Sequence, residues 1–188
     1  MIARMPLLAV DDDIVDTPRR VVVAGTSGSG KTTLAARVGD RLGLPHVDID
    51  GLFHGPSWTQ RPSFEADVEE FSRGDRWVTE WQYSTVRQRL ADRAELMVWL
   101  DLPRATVMRR VISRTLRRRR TRQVLWNGNV EPPLRTIATD PEHIIRWAWT
   151  THRKTRRRVL ELAERRPEMP IVRLRSRRDV DRWLERLP

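Results

Sequence analysis

The chain predicts an α/β protein: a parallel sheet covered by helices on both faces. Three observations carry that expectation. Short apolar runs, Val21-Val22-Val23-Ala24 and Leu96-Met97-Val98-Trp99-Leu100 the clearest, read as buried strands. Segments of helical spacing alternate with them, starting with Leu34, Ala35, Val38 and Leu42. Between the first strand and first helix stands Gly25-Thr26-Ser27-Gly28-Ser29-Gly30-Lys31-Thr32, which fits the pattern GxxxxGK[ST] in its proper strand–loop–helix setting.

The elements follow in order. Residues 1–18 read as a mobile tail, because Met5 to Val10 is too short for a secretory core and runs into Asp11-Asp12-Asp13. One domain is expected over 19–188. After the first helix Gly43-Leu44-Pro45 breaks the chain, and His46 to Asp50 reads as a second strand. Gly51, Gly55, Pro56 and Pro62 mark 51–63 as a loop. Phe64 to Phe71 reads as a short helix, Trp77-Val78-Thr79 as a third strand closing on Glu80, and 84–93 as another helix. The fourth strand, Leu96–Leu100, ends on Asp101, and Pro103 opens a long arginine-rich helix. Residues 121–139 read as a flexible excursion. Asp140, as cap, and Pro141 then start a second long helix reaching about Arg166. Ile171 to Leu174 is the last strand. Ser176 caps a final helix whose apolar face is Val180, Trp183, Leu184 and Leu187.

A length of 188 residues suits one domain with a sizeable core. No run of about 18 apolar residues is present, so no membrane span is expected. The absence of cysteine excludes disulfides and thiolate metal sites. The net charge of +11 raises nucleic acid as a possible partner. Its placement says more. Leu102 to Val130 holds no acid but carries a dense arginine run from Arg104 to Arg122, and a second basic run spans Arg153 to Arg158. Such runs are either solvated helix faces or clamps for phosphate, whose oxygens match the guanidinium fork.

The glycine loop has a definite chemistry. Its glycines let phosphate approach the main chain, and successive N–H groups form an anion nest at a helix N-terminus. Lys31, one of only two lysines in the chain, can reach the β- and γ-phosphates, and the Thr32 hydroxyl can ligate Mg²⁺. The nucleotide-binding residues are therefore expected to be Gly25, Thr26, Ser27, Gly28, Ser29, Gly30, Lys31, Thr32 and Thr33. In a sheet of this kind the ligand lies at the carboxyl ends of the strands. Asp48, Asp50, Glu80 and Asp101 fall there. Asp48 and Asp50 are two apart and would share one side of a strand end, although Asp50-Gly51 is also a common turn pair.

The segments GTSGSGKTTLA, HVDIDGLFHGPSW, RWVTEWQYS, VWLDLP and VRLRSRRDVDRWL, in that order over about residues 19–187, resemble the adenylate-kinase-like P-loop kinases. Within them the similarity is to the topology-modulation-protein-like subgroup. The resemblance implies a three-layer fold with a five-stranded parallel sheet in the order 2-3-1-4-5 and an arginine-rich helical lid at about 104–150. It implies ATP and Mg²⁺, and transfer of a phosphoryl group to a small hydroxyl or phosphate acceptor. Asp48 would orient the magnesium shell and Asp50 would hold the acceptor hydroxyl. Arg110 would lie against adenine and Arg114 on the terminal phosphate, with Arg118 continuing their face. The loop at Arg175 would border adenine through its backbone. The second magnesium-orienting acid stays open: the apolar run favours Asp101, whereas the implied topology favours Glu80 acting through water. The chain departs from these relatives at Glu80-Trp81, where they carry Asp-Gly, and at Gln82, where they carry Asn; Trp81 is expected to reshape the acceptor pocket.

Of eight tryptophans, Trp58 in the acceptor-side loop could stack on a flat or sugar-like acceptor, and most of the others are expected to be packing. His54 and His152 lack partners at ligand spacing. Three functions compete: a small-molecule kinase, probed by loss of turnover in Lys31→Ala; an ATP-switched nucleic-acid-associated protein; and a nucleotide-binding regulator with weak or no catalysis. A cytoplasmic monomer suits the first.

Overall fold

The computed structural model describes residues 7–12, 14, 16–137, 139–140 and 143–187. Five parallel strands form one sheet in the order β2-β3-β1-β4-β5: β1 Arg20–Gly25, β2 His46–Val47, β3 Trp77–Glu80, β4 Leu96–Leu100 and β5 Ile171–Leu174. The helices are α1 Lys31–Leu42, α2 Ile49–Phe53, α3 Phe64–Ser72, α4 Ser84–Arg93, α5 Arg104–Thr121, α6 Ile144–Arg165 and α7 Arg177–Arg186.

Alternation along β1 sets the layers, because successive side chains point to opposite faces. Val21 and Val23 enter a core with Leu34 and Val38 of α1, Val107 and Val111 of α5, and Trp183 of α7. Val22 and Ala24 enter the other core, with Phe64 and Val68 of α3, Leu90 of α4, and Leu162 of α6. Buried on both sides, β1 and β4 read as continuous apolar runs. α7 starts from a complete capping box: the Ser176 side chain accepts from Asp179 N, and the Asp179 carboxylate accepts from Ser176 N.

The structure corrects four local expectations. The second strand stops at Val47, because the Asp48 carboxylate accepts from Asp50 N at 3.1 Å and caps α2. The 51–63 segment is thus no plain loop; it holds most of α2 and a 3-10 turn at Pro56–Trp58. α6 begins at Ile144, with His143 as cap, while Asp140 contributes a carbonyl to His143 N and Pro141 lies outside the described residues. Within the expected tail, residues 1–6 lie outside the described residues, but Leu8 bonds both ways to β5, donating to Ile171 O at 2.9 Å and accepting from Arg173 N at 3.0 Å. A buried apolar side chain and an open sheet edge hold this part of the segment down.

Candidate active site

The phosphate loop joins β1 to α1. Gly30 caps α1 at φ 101°, and Gly28 at φ 82° lies so close to α5 that a Cβ there would stand 2.1 Å from Val111 Cγ2. The long helix therefore packs directly on the loop. Lys31 is buried, and its ammonium finds one long hydrogen bond, 3.4 Å to Thr26 O. Burial pulls its proton affinity down and Arg114 adds to that; Asp50 and Glu80 pull the other way. Ser29 Oγ is buried with no hydrogen-bond partner among the described residues. Thr26 is buried, while Thr32 and Thr33 are exposed on the first turn of the helix.

Two acids face this loop. Glu80 ends β3 opposite Val23 and is fully buried. Its Oε1 pairs with His46 Nε2 at 3.1 Å and its Oε2 accepts from Ile49 N at 3.2 Å. Burial opposes its ionisation, but those two bonds prevail and hold its pKa below the ordinary value; the same contact raises that of His46. Asp50 receives both Gln82 Nε2 and the Tyr83 hydroxyl on Oδ1, each at 2.5 Å. Oδ2 has no partner among the described residues. Burial pushes the Asp50 carboxyl upward against the Tyr83 bond and the Lys31 charge. Asp101 is engaged elsewhere, paired with Arg173 and, at 3.6 Å, with Arg156.

The arginines of α5 divide by position. Arg110 donates to Ser29 O at 2.9 Å and so lies across the loop. Arg114 points inward. Its charge acts on Lys31 and it feels that of Asp50, while its buried Nε has no partner among the described residues. Burial, then Arg118, draw its pKa down without discharging it. Arg118 is committed to the buried Glu131 at 3.0 Å. Arg175 is exposed, and its backbone N–H serves the cap of α7.

Several residues of this site gave no sequence signal, or were assigned elsewhere. Tyr83 holds Asp50 from a strained backbone, φ 59°, and stacks on Phe53 at 3.9 Å and 15°. Trp126 donates to Asp48 Oδ2 at 2.7 Å. His54, which lacks partners at ligand spacing in the sequence, sits 3.3 Å from the Tyr83 hydroxyl. Trp58 stands edge-on to His54, with centroids 4.9 Å apart. Trp81, expected to shape the pocket, instead enters the second core and donates to Arg87 O at 2.8 Å.

The donor set fits a polyphosphate: a buried ammonium with one weak contact, an orphaned hydroxyl, a helix N-terminus and an unpaired guanidinium edge. Among the described residues no group of three or more His, Cys, Asp or Glu is placed to hold a metal. Magnesium suits the site none the less, since it takes few carboxylates and completes its shell with water and phosphate. Also among the described residues, no helix is long and apolar enough to cross a membrane.

No family model matches the chain. The cytidylate kinase of Nitratidesulfovibrio vulgaris (strain DP4) is 41% identical over 56 residues, 30% of this chain and 24% of that protein. The cytidylate kinase of Halorubrum lacusprofundi is 30% identical over 111 residues, 50% of this chain and 57% of that protein. The chain thus spans from 24% to 57% of the length of these curated relatives. A shikimate kinase from Acinetobacter baumannii, solved with shikimate, superimposes with a TM-score of 0.50 at 15% identity, over 90% of each chain. Sheet order, phosphate loop and this likeness define a P-loop kinase fold.

Proposed function

We propose that the chain is an ATP-dependent phosphotransferase acting on a small hydroxyl or phosphate acceptor, in the cytoplasm where ATP is abundant. One observation carries this: beside the phosphate cradle lie a buried Lys31 with one long bond to Thr26 O, a buried Arg114 Nε without a partner among the described residues, and an Asp50 held through one oxygen by Gln82 and Tyr83. The loop residues Gly25 to Thr33 hold the triphosphate, Arg110 flanks the nucleotide, the Arg175 loop borders the base, and Arg114 meets the transferring group, with Arg118 steadying the lid through Glu131. With a hydroxyl acceptor, its oxygen bonds to the γ-phosphorus as the bond to the ADP oxygen breaks. The hydroxyl proton passes to Asp50 Oδ2. Thr32, with Asp48 and Glu80 through water, would hold Mg²⁺, which would neutralise phosphate charge. Among the acids that could share that role, Glu80 is preferred to Asp101 for its place, at the end of the strand paired with β1 and the phosphate loop, whereas Asp101 forms ion pairs with Arg173 and Arg156.

The finer likeness to the topology-modulation-protein-like subgroup names no acceptor. The test is ATP consumption over pooled metabolites, with products identified by mass spectrometry. Asp50→Asn should abolish transfer while leaving ATP binding intact; equal turnover by Asp50→Asn would refute the assignment. A second reading, an ATP-switched nucleic-acid-associated protein, draws on exposed Trp147 and Trp149 on the basic helix α6. A salt-dependent affinity for long RNA or DNA would favour it. ATP binding with no product in a broad screen would point to a regulator.

A further inference from the structure

Resting on the phosphotransferase reading, we propose that the acceptor is an uncharged ring compound bearing the reactive hydroxyl, and that Trp126 closes an aromatic clamp over it. This narrows the acceptor from hydroxyl or phosphate to hydroxyl alone, and names the residue that selects it.

Charge argues first. The acceptor side of the site presents Asp48 and Asp50, with Glu80 behind them. An acceptor phosphate or carboxylate would bring another acceptor oxygen against the Asp50 carboxylate, whose Oδ1 already takes Gln82 and Tyr83, whereas a hydroxyl can donate to Oδ2. Arg61, which reaches this segment, is already spent on Leu52 O at 3.4 Å, Ser63 at 3.2 Å and Asp67 at 3.1 Å. Lys31 and Arg114 belong to the transferring phosphate. A phosphate acceptor is moreover ionised before it reacts and needs no base, whereas an alcohol does, and Asp50 keeps Oδ2 open for one.

The walls argue second. His54 and Trp126 lie 5.8 Å apart with planes 31° from parallel, and Trp58 stands across Trp126 at 6.5 Å and 71°. Such faces take the flat or C–H side of a ring. His54 Nδ1 is buried without a partner among the described residues, so one polar atom inside the apolar wall awaits a hydroxyl. Burial also pulls the His54 pKa down against Asp50 and Asp48, which favours a neutral imidazole there.

The clamp itself is built from two facing turns. Asn127 Nδ2 donates to His54 O at 2.5 Å, Asn129 Nδ2 to Gly55 O at 2.8 Å, Trp58 N to Asn129 Oδ1 at 3.0 Å and Trp58 Nε1 to Val130 O at 3.1 Å. Each turn carries a strained residue, Ser57 at φ 56° and Asn127 at φ 53°. Trp126 is the hinge between clamp and chemistry. Its indole N–H grips Asp48, and its ring lies so near Gly51 that a Cβ there would stand 3.2 Å from Trp126 Cδ1.

The test is calorimetry on the full chain, first with ATP, then with matched probes in the presence of ADP and Mg²⁺: cytidine against CMP, and myo-inositol against myo-inositol 1-phosphate. The proposal expects at least one neutral member to bind tenfold or more tightly than its phosphate. Trp126→Ala should weaken that neutral probe by about tenfold or more, and Trp126→Phe should fall between. A phosphate binding more tightly than its neutral partner overturns the proposal. So does failure of both neutral probes in a protein that binds ATP, or a Trp126→Ala protein that binds them as tightly as wild type. Failure to bind ATP at all would instead sink the phosphotransferase reading beneath it.

Discussion

Lys31→Met separates what the phosphate loop does for binding from what it costs the fold. The substitution keeps the length and apolar stem of the side chain and deletes a buried ammonium. Among the described residues that ammonium has one hydrogen bond, 3.4 Å to Thr26 O, beyond the length of a good one. Burial holds the folded pKa below 10.5, so the unfolded chain binds the proton more tightly. The charged side chain therefore subtracts stability at neutral pH, and stability rises as pH climbs from the lowered value towards 10.5. Lys31→Met should lose that alkaline slope and unfold at an equal or higher urea concentration near pH 7. Its ATP affinity should fall, because a hydrogen bond from a charged donor contributes about 1.5–3 kcal/mol, or about 10- to 150-fold in Kd. Urea melts across pH and titration calorimetry with Mg²⁺ and ATP measure the two effects. A variant that binds ATP like wild type, or that unfolds at a clearly lower urea concentration, would refute the assignment of Lys31.

Three further outcomes follow from named contacts. Gly28→Ala must fit a methyl 2.1 Å from Val111 Cγ2 at a left-handed φ of 82°; it should cost about 2–4 kcal/mol in urea unfolding, partly restored by adding Val111→Ala. In metal-free protein with EDTA, the raised His46 pKa adds stability that is complete below pH 6.5 and fades as pH rises through the folded value; the margin of wild type over His46→Gln should shrink across that window, and a constant margin would remove the His46–Glu80 contact from the account. Tyr83→Phe keeps the stack on Phe53 but deletes a 2.5 Å bond to Asp50, so the acidic limb of the pH–rate profile should move to higher pH. The neutral rate should drop about tenfold, and an unshifted limb would show that Tyr83 does not tune Asp50.

The parts legible in the sequence were those governed by local rules. β1, the glycine loop and α1 follow from one apolar run, one spacing and one helical period, and the cap at Ser176 follows from a residue and its third neighbour. Asp48 and Asp50 were recognised, but their setting was not. A carboxylate that caps its own chain turns a presumed strand into α2, and the choice between strand and cap rests on a hydrogen bond that composition does not display. Trp126 lies 78 positions from Asp48, and no local pattern announces such a pairing. Tyr83 was hidden for a different reason: it works from a positive φ, where propensity rules place glycine. At Trp81 the sequence shows a bulky residue but not its direction: the ring turns into the second core beside α4 rather than into the pocket.

On the phosphotransferase reading proposed above, the distribution of charge joins the loop, the acids and the arginines of α5 in one mechanism. Arg118 bonds to the Glu131 carboxylate and Arg119 to the Glu131 carbonyl, so the last turns of α5 are fastened to the segment that follows them. Arg110 is fastened to the loop through Ser29 O. Arg114, between them on the same face, is left with a partnerless buried Nε and a depressed pKa, as Lys31 is left with one long bond and a depressed affinity for its proton. Neither cation is placed for stability, since each would be better solvated on the surface. Their positions make sense as an anion site held open by the bonds of its neighbours. The charge the protein withholds from them is what a triphosphate would supply, and most of all as the transferring phosphoryl group spreads its charge over three oxygens. The same logic sets the other half of the site. Tyr83 and Gln82 both bond to one oxygen of Asp50, so in the proposed reaction the second oxygen meets the acceptor while the two cations meet the triphosphate.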